Sequence, residues 1–327
     1  MTYKKQVVML SFLTGLLTLT YAASLIFSSE RLNARSATYR WMEPQAAETA
    51  DNISISGAAG EITLWRRNGA WFTGSPDGAE TGEYPAKQSR VEDFLSILST
   101  REAYPVRGGA VSHERLGLTD TAASHITVRA ANRVLLDMLI GGVDASGREV
   151  YIRKNNQDEV RSGEDRFSAY LNGAPKSWYN LKLFPEGGAL DTVQRLTVIS
   201  PPAAPLDDGS VPPVQPPLVI SRRETGWVVE GLAEDALDGA KVEPYIRSIL
   251  DAEGDTFITT MNAQDPIFNE GRITLEFGDG VSRRISLGPG EGDARSVVVS
   301  GSPYVYALTE WVVGRIFRNV SYFEKTE

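Results

Sequence analysis

The chain has 327 residues, with 33 Lys plus Arg, 42 Asp plus Glu, two His, no Cys and 42% apolar residues. At roughly 100 to 200 residues per domain there is room for about two domains, each able to bury its own core. The missing sulfur excludes disulfide scaffolds, thiolate zinc sites, Fe–S clusters, cysteine nucleophiles and lipoprotein anchoring. Two histidines are too few for a three-histidine metal centre, and a formal charge of −9 opposes nucleic-acid binding, which is driven by basic residues releasing counterions. No cofactor, metal or nucleic-acid partner is expected.

Residues 1–5 form a short stub carrying Lys4 and Lys5. Gln6 to Phe27 then runs for 22 residues without a charge and is followed by Glu30 and Arg31. A helix of that length reaches about 33 Å, enough for a hydrocarbon core of about 30 Å. Thr20 and Ala22 offer a small-residue cleavage pair, but Ser24 to Phe27 prolongs the apolar run, so residues 6–28 read as an uncleaved transmembrane signal anchor. The lysines place the stub in the cytoplasm and the bulk outside, a single-pass arrangement in the cytoplasmic (inner) membrane with an extracytoplasmic or periplasmic body. Without those two lysines the formal charge is −11. Residues 29–50 read as a juxtamembrane linker.

Two stretches of similar pattern follow, at 51–185 and 190–320. In the first, Ile62 to Arg67 leads through Asn68-Gly69 to Trp71. In the second, Leu218 to Arg223 leads through Thr225-Gly226 to Trp227. Val91, Phe94, Leu95 and Leu98 fall at i, i+3, i+4 and i+7 of an amphipathic helix, and Val242, Tyr245, Ile246 and Ile249 repeat the spacing. His125 to Ala130 and Arg133 to Gly141 make a hairpin pair, matched by Arg272 to Phe277 and Val281 to Gly288 around Asp279-Gly280, a two-residue turn signal. Closing strands at Glu149, Glu159, Ser296 and Tyr304 precede the segments 167–179 and 308–317. The pattern predicts an α+β fold, two tandem copies of an antiparallel sheet unit of six or seven strands with one or two covering helices. The loop 201–217, with seven of the chain's 17 prolines, reads as a semi-stiff extension.

No phosphate-loop, nucleophile-elbow or paired-histidine metal motif occurs. Gly288 to Gly292 reads as a turn between strands. His113 and His125 could be grouped with Ser112, Asp120 or Asp137 on paper, but nothing in the spacing selects such a triad. The carboxylate pairs Asp207-Asp208 and Glu234-Asp235 sit in loop sequence. Trp65, Trp71, Trp227, Tyr304 and Tyr306 are read as packing residues. Alternation sends one member of each pair Arg66-Arg67, Arg222-Arg223 and Arg283-Arg284 to solvent. No catalytic, cofactor-binding or metal-binding residue is assigned.

The order of N-terminal span, Trp-bearing strand, helix with Val91, Phe94, Leu95 and Leu98, Leu116-Gly117-Leu118, hairpin ending in Ile140-Gly141, Val150-Tyr151-Ile152 and a second copy resembles an uncharacterised bacterial envelope family. Its members are defined only as a domain of unknown function. They are often encoded beside gliding-motility-type ABC-transporter subunits and that transporter's auxiliary membrane protein. The family's usual Tyr-Gly-Leu is Leu-Gly-Leu here. No catalytic or binding residues are established for that family, so none is carried over. The anchor, the duplicated sheet units, the lack of a reactive constellation and the resemblance together lead to the expectation of a non-enzymatic auxiliary or scaffold subunit, with a transporter permease or auxiliary subunit as protein partner and the membrane held through residues 6–28. The alternative expectations are an envelope module binding peptide or glycan in a cleft between the two units and, behind it, an unrecognised hydrolase.

Overall fold

The computed structural model describes residues 14–21, 38–57, 60–76, 82–171, 175–185, 188–202, 210 and 212–325. Residues 14–21 are helical (α1) and exposed, with the Thr18 hydroxyl donating to the Thr14 carbonyl at 2.8 Å and Thr20 to the Leu16 carbonyl at 3.0 Å. Back-bonding of this kind satisfies hydroxyls within an apolar helix. The remainder of the expected 6–28 span lies outside the described residues, and no described helix is long and apolar enough to cross a membrane.

The chain divides into two compact units, one of residues 1–73 and 88–178, the other of 74–87 and 179–327. In the first, β1 (Thr38–Tyr39) and α2 (Pro44–Thr49) precede β2 (Asn52–Gly57), β3 (Gly60–Arg67) and β4 (Ala70–Thr73). Residues 38–50 are therefore not a free linker, as the unpatterned sequence suggested: Trp41 and Met42 are buried, and the Met42 amide donates to the Leu98 carbonyl at 3.0 Å. The two-residue strand β5 (Tyr84–Pro85) belongs to the second unit. The first resumes with α3 (Gln88–Ser99), β6 (Glu102–Ala103), β7 (Val106–Gly108), β8 (Ser124–Ala130), β9 (Arg133–Val143), β10 (Glu149–Lys154), β11 (Val160–Glu164) and α4 (Ser168–Leu171). Its strands follow one another antiparallel as β4-β3-β2-β8-β9-β10-β11-β7, with β1 pairing β6 separately.

The second unit runs β12 (Val193–Ile199), β13 (Leu218–Arg223), β14 (Gly226–Val229), α5 (Val242–Leu250), β15 (Thr256–Ile258), β16 (Gly271–Phe277), β17 (Ser282–Glu291), β18 (Ala294–Val299), β19 (Val305–Thr309) and α6 (Glu310–Ile316). Its sheet has eight strands, ordered β14-β13-β12-β16-β17-β18-β19-β15. The eight strands β4-β3-β2-β8-β9-β10-β11-β7 of the first unit take the same order, and its β1–β6 pair has no counterpart among the described residues of the second. The count exceeds the expected six or seven because a three-residue edge strand follows the helix in each, too short to leave a periodic signal.

Both helices bury the residues their spacing nominated: Val91, Phe94, Leu95 and Leu98 in α3, and Val242, Tyr245, Ile246 and Ile249 in α5. In the second unit these join Leu196, Val198, Ile220, Ile273, Leu275, Ile285 and Leu287 in one cluster. Each such side chain contributes about 1.5–3 kcal/mol. On β16 the buried Ile273 and Leu275 alternate with the unburied Arg272, Thr274 and Glu276, so one sheet face is core and the other is not.

Asn68 (φ 51) and Gly69 (φ 84) make the two-residue β3–β4 turn. At Asp279-Gly280 only Gly280 takes a positive φ, and the hairpin closes with the Phe277 amide donating to the Val281 carbonyl at 2.9 Å, a longer loop than the dipeptide implied. Gly288 to Gly292 is not simply a turn. β17 continues to Glu291 and bulges between Leu287 and Gly290. The first unit bulges at the corresponding place, where β9 passes Gly141.

Residues 82–87 pack into the second unit. Tyr84 lies 4.8 Å from Phe257, 5.3 Å from Tyr304 and 6.1 Å from Tyr179, ring centre to ring centre. The Tyr304 hydroxyl donates to the Glu83 carbonyl at 2.9 Å, and the Asn180 amide to the Pro85 carbonyl at 2.7 Å. The contiguous boundary expected near residue 185 is thus interrupted by an arm from within the first stretch.

Candidate functional site

One tripeptide acts as a packing device. Leu116-Gly117-Leu118 lies across the β9 bulge, with the Gly142 amide donating to the Leu116 carbonyl at 2.9 Å. A Cβ on Gly141 would stand 2.4 Å from that carbonyl oxygen; Gly117 has a positive φ of 69°, and a Cβ there would stand 3.2 Å from the Gly142 nitrogen. Leu116 and Leu118 form a small cluster with Leu139 and Val160, and the Arg153 Nε donates to the Leu118 carbonyl at 3.2 Å. Glycine is required here because two backbones touch.

The candidate titratable groups are held by their own neighbours. His113 Nε2 meets the Asp158 carbonyl at 2.9 Å. His125 Nε2 meets Asp137 Oδ1 at 2.5 Å, and Asn155 donates to the other Asp137 oxygen at 3.3 Å. Of the paper partners for a triad, the structure joins Asp137 to His125, whereas no hydrogen bond joins Ser112 or Asp120 to either histidine. Ser162 is buried, donates to Glu149 at 2.5 Å and accepts from Arg107 Nε at 2.9 Å. Glu234 and Asp235 are exposed, and Asp207-Asp208 falls outside the described residues. Among the described residues no group of three or more His, Asp or Glu is arranged to hold a metal ion.

The aromatic residues divide. Trp71 and Tyr306 are buried, Tyr304 is tied to Glu83, and Trp227 is half-buried, donating to Glu243 at 3.4 Å beneath the Arg222 guanidinium at 5.0 Å. Burial raises the pKa of the Tyr104, Tyr245, Tyr304 and Tyr306 phenols above the ordinary value. Trp311, absent from the sequence-derived candidates, is 71% exposed on α6 with Arg315 stacked at 4.8 Å. A wide-open depression lies among Pro266, Ile267, Asn269, Glu270 and Pro289, beside the ion pair of Glu270 with Arg295.

A further candidate surface is the face of the second unit's sheet turned away from its core, uncovered among the described residues of that unit. Across β13, β12, β16 and β17 it presents Ser221, Arg195, Glu276 and Ser282 in one row, and Thr197, Thr274 and Arg284 in the next. Arg272 stands between Ile199 and Ser286. Arg283 turns the other way, its guanidinium 5.9 Å from the Phe184 ring and 5.8 Å from Phe277, as alternation requires. Adjacency in sequence pairs Arg284 with Arg283, whereas strand register joins it to Arg272 on one face. The acidity is also uneven. Residues 74–87 and 179–327 hold 25 acidic and 14 basic residues, a formal −11, and the rest of the chain 17 acidic and 19 basic, +2. The arginines of this face therefore stand on the strongly acidic unit.

No curated protein and no solved structure matches the chain. One family model does, described as "Domain of unknown function (DUF4340)", over residues 78–267. The match begins ahead of β5 and ends beyond β15, so it spans parts of both units instead of falling once on each. Covering more than half of the chain, that match places the protein in the DUF4340 family, a family of unknown function.

Proposed function

We propose that the protein is a non-enzymatic, membrane-anchored extracytoplasmic subunit that assembles with an ABC-type transporter system. Its two units are, on this reading, copies of one ancestral sheet-and-helix fold, which the shared strand order and the paired bulges support. The observation that carries the assembly reading is the uncovered sheet face of the second unit, an ordered array of guanidinium, hydroxyl and aliphatic side chains on a rigid element. Such a surface suits a macromolecular partner better than a small substrate, which binds in a concave site. The anchor is assigned to residues 6–28, whose uncharged run behind Lys4 and Lys5 supports a single pass with the bulk outside. The resemblance to a family often encoded beside transporter genes supports the choice of partner.

Affinity purification of the full chain, at endogenous level from gently solubilised membranes, is expected to recover a permease or its auxiliary protein. Recovery of the protein alone would refute the assembly reading.

A further inference from the structure

Arg272 lies directly opposite Ser286, and Arg284 directly opposite Thr274, so the two arginines are diagonal neighbours across β16 and β17. Diagonal positions on one sheet face are about 7–8 Å apart, within reach of long side chains. The first unit occupies the same two positions with His125, opposite Leu139, and Asp137, opposite Thr127. There the side chains meet at 2.5 Å. The diagonal thus brings its side chains together, and in the first unit it is self-satisfied by a complementary pair. In the second unit it holds two guanidiniums, and among the described residues neither side chain has an ion-pair or hydrogen-bond partner. Arg195, by contrast, is neutralised by Glu230 at 3.3 Å and faces Glu276. The hydroxyls of Thr197, Thr274 and Ser286 surround the dyad, and Ile199 and Val298 flank it.

We propose that this Arg272–Arg284 dyad is the docking point for an acidic, extended segment of a partner protein, whose carboxylate bridges the two guanidiniums. Charge complementarity selects an anion, since two cations that cannot pair with each other pair with a third group. The sheet selects a polypeptide carboxylate over free phosphate. Its backbone N–H groups are consumed in the ladder and offer no nest for a phosphate, whereas aliphatic neighbours and hydroxyls suit a side-chain-bearing strand. Arginine forks match carboxylate oxygens in two parallel bonds.

The inference rests on the subunit reading and names the chemistry of the partner. Peptide titration tests the face alone and co-purification the assembly alone, so either can fail without the other. Full-length protein in detergent micelles is titrated at low ionic strength with a labelled peptide of alternating Glu and Val, and with its Gln-for-Glu counterpart. The Glu peptide is expected to bind at least about tenfold more tightly. Arg284→Asp, which recreates the first unit's self-satisfied pair, should weaken binding about tenfold, or about 1.4 kcal/mol, with the melting temperature unchanged or raised. Arg272→Gln with Arg284→Gln should do the same to binding without adding a charge. Equal binding by Arg284→Asp, or no binding by the natural chain, would overturn the proposal. So would equal binding to phosphatidylglycerol vesicles, displacement by millimolar inorganic phosphate, binding by a second copy of the chain through this face, or binding that emerges only after Asp207→Asn with Asp208→Asn.

Discussion

Replacing Gly141 by Ala tests whether Leu116-Gly117-Leu118 is seated by backbone contact. The added Cβ would lie 2.4 Å from the Leu116 carbonyl oxygen, 3.0 Å from Leu118 Cγ and 3.1 Å from the Gly117 carbonyl carbon. An ordinary carbon–oxygen contact is about 3.3–3.6 Å, so the loop must retreat by about 1 Å. Overpacking of this kind costs about 1–3 kcal/mol. Retreat also breaks the hydrogen bond that the Gly142 N–H donates to the Leu116 carbonyl, 2.9 Å long, for about 1 kcal/mol more. The total, about 2–4 kcal/mol, lowers the melting temperature of a domain this size by roughly 10 °C. Gly142→Ala is the control, because its Cβ would lie 3.6 Å from the same oxygen in ordinary contact. Urea unfolding followed by tryptophan fluorescence reports mainly on the first unit, which holds Trp41, Trp65, Trp71 and Trp178 of the six tryptophans. A Gly141→Ala protein within about 0.5 kcal/mol of the natural chain, the scatter of neutral surface changes, would refute the reasoning, as would an equal loss in Gly142→Ala.

Two further outcomes follow from the second unit. Tyr84→Ala removes three ring contacts and should cost about 2 kcal/mol. Hydrogen exchange should then rise around Phe257 and Tyr304 and leave α3 protected, whereas unchanged exchange would deny the arm its role. Tyr245 is buried and donates to the Ile316 carbonyl at 2.6 Å, and its phenol is raised well above its usual value by burial, as are Tyr304 and Tyr306 to smaller extents. A folded pKa above the unfolded value of about 10 gives stability that is fully present below pH 10 and lost as pH climbs through the folded pKa. Ultraviolet titration should therefore show these phenols ionising above the ordinary value of about 10, and Tyr245→Phe should flatten the alkaline loss. Free ionisation of all twelve tyrosines near pH 10 in folded protein would contradict the burial.

Periodicity made the sheet-and-helix units legible because burial on one side imposes a repeat of two on strands and 3.6 on helices. Val91 to Leu98 and Val242 to Ile249 needed no tertiary information. Residues 38–50 were not legible, since Trp41 and Met42 are buried from a short, aperiodic segment. The arm was hidden for a related reason: Tyr84 lies in a two-residue strand whose burial depends on rings 95 and more positions away in sequence. Among candidate site residues, Asp137 could be named beside His125, but nothing short of strand register joined them, and the same register brought Arg272 to Arg284.

Composition by itself determined what the chain lacks, because a missing thiol cannot be supplied by folding. Composition also determined the net acidity, and the order of residues along the chain the repeating elements. Only the tertiary structure decided where the unit boundary falls, why Leu116-Gly117-Leu118 requires its glycine, and which unit carries the negative charge. It alone decided, too, that one diagonal of each sheet holds a bonded His–Asp pair in the first unit and two arginines in the second. The reason is physical: alternation along a strand is local, but which residue stands across from which is set by loop lengths, bulges and packing far away in the chain.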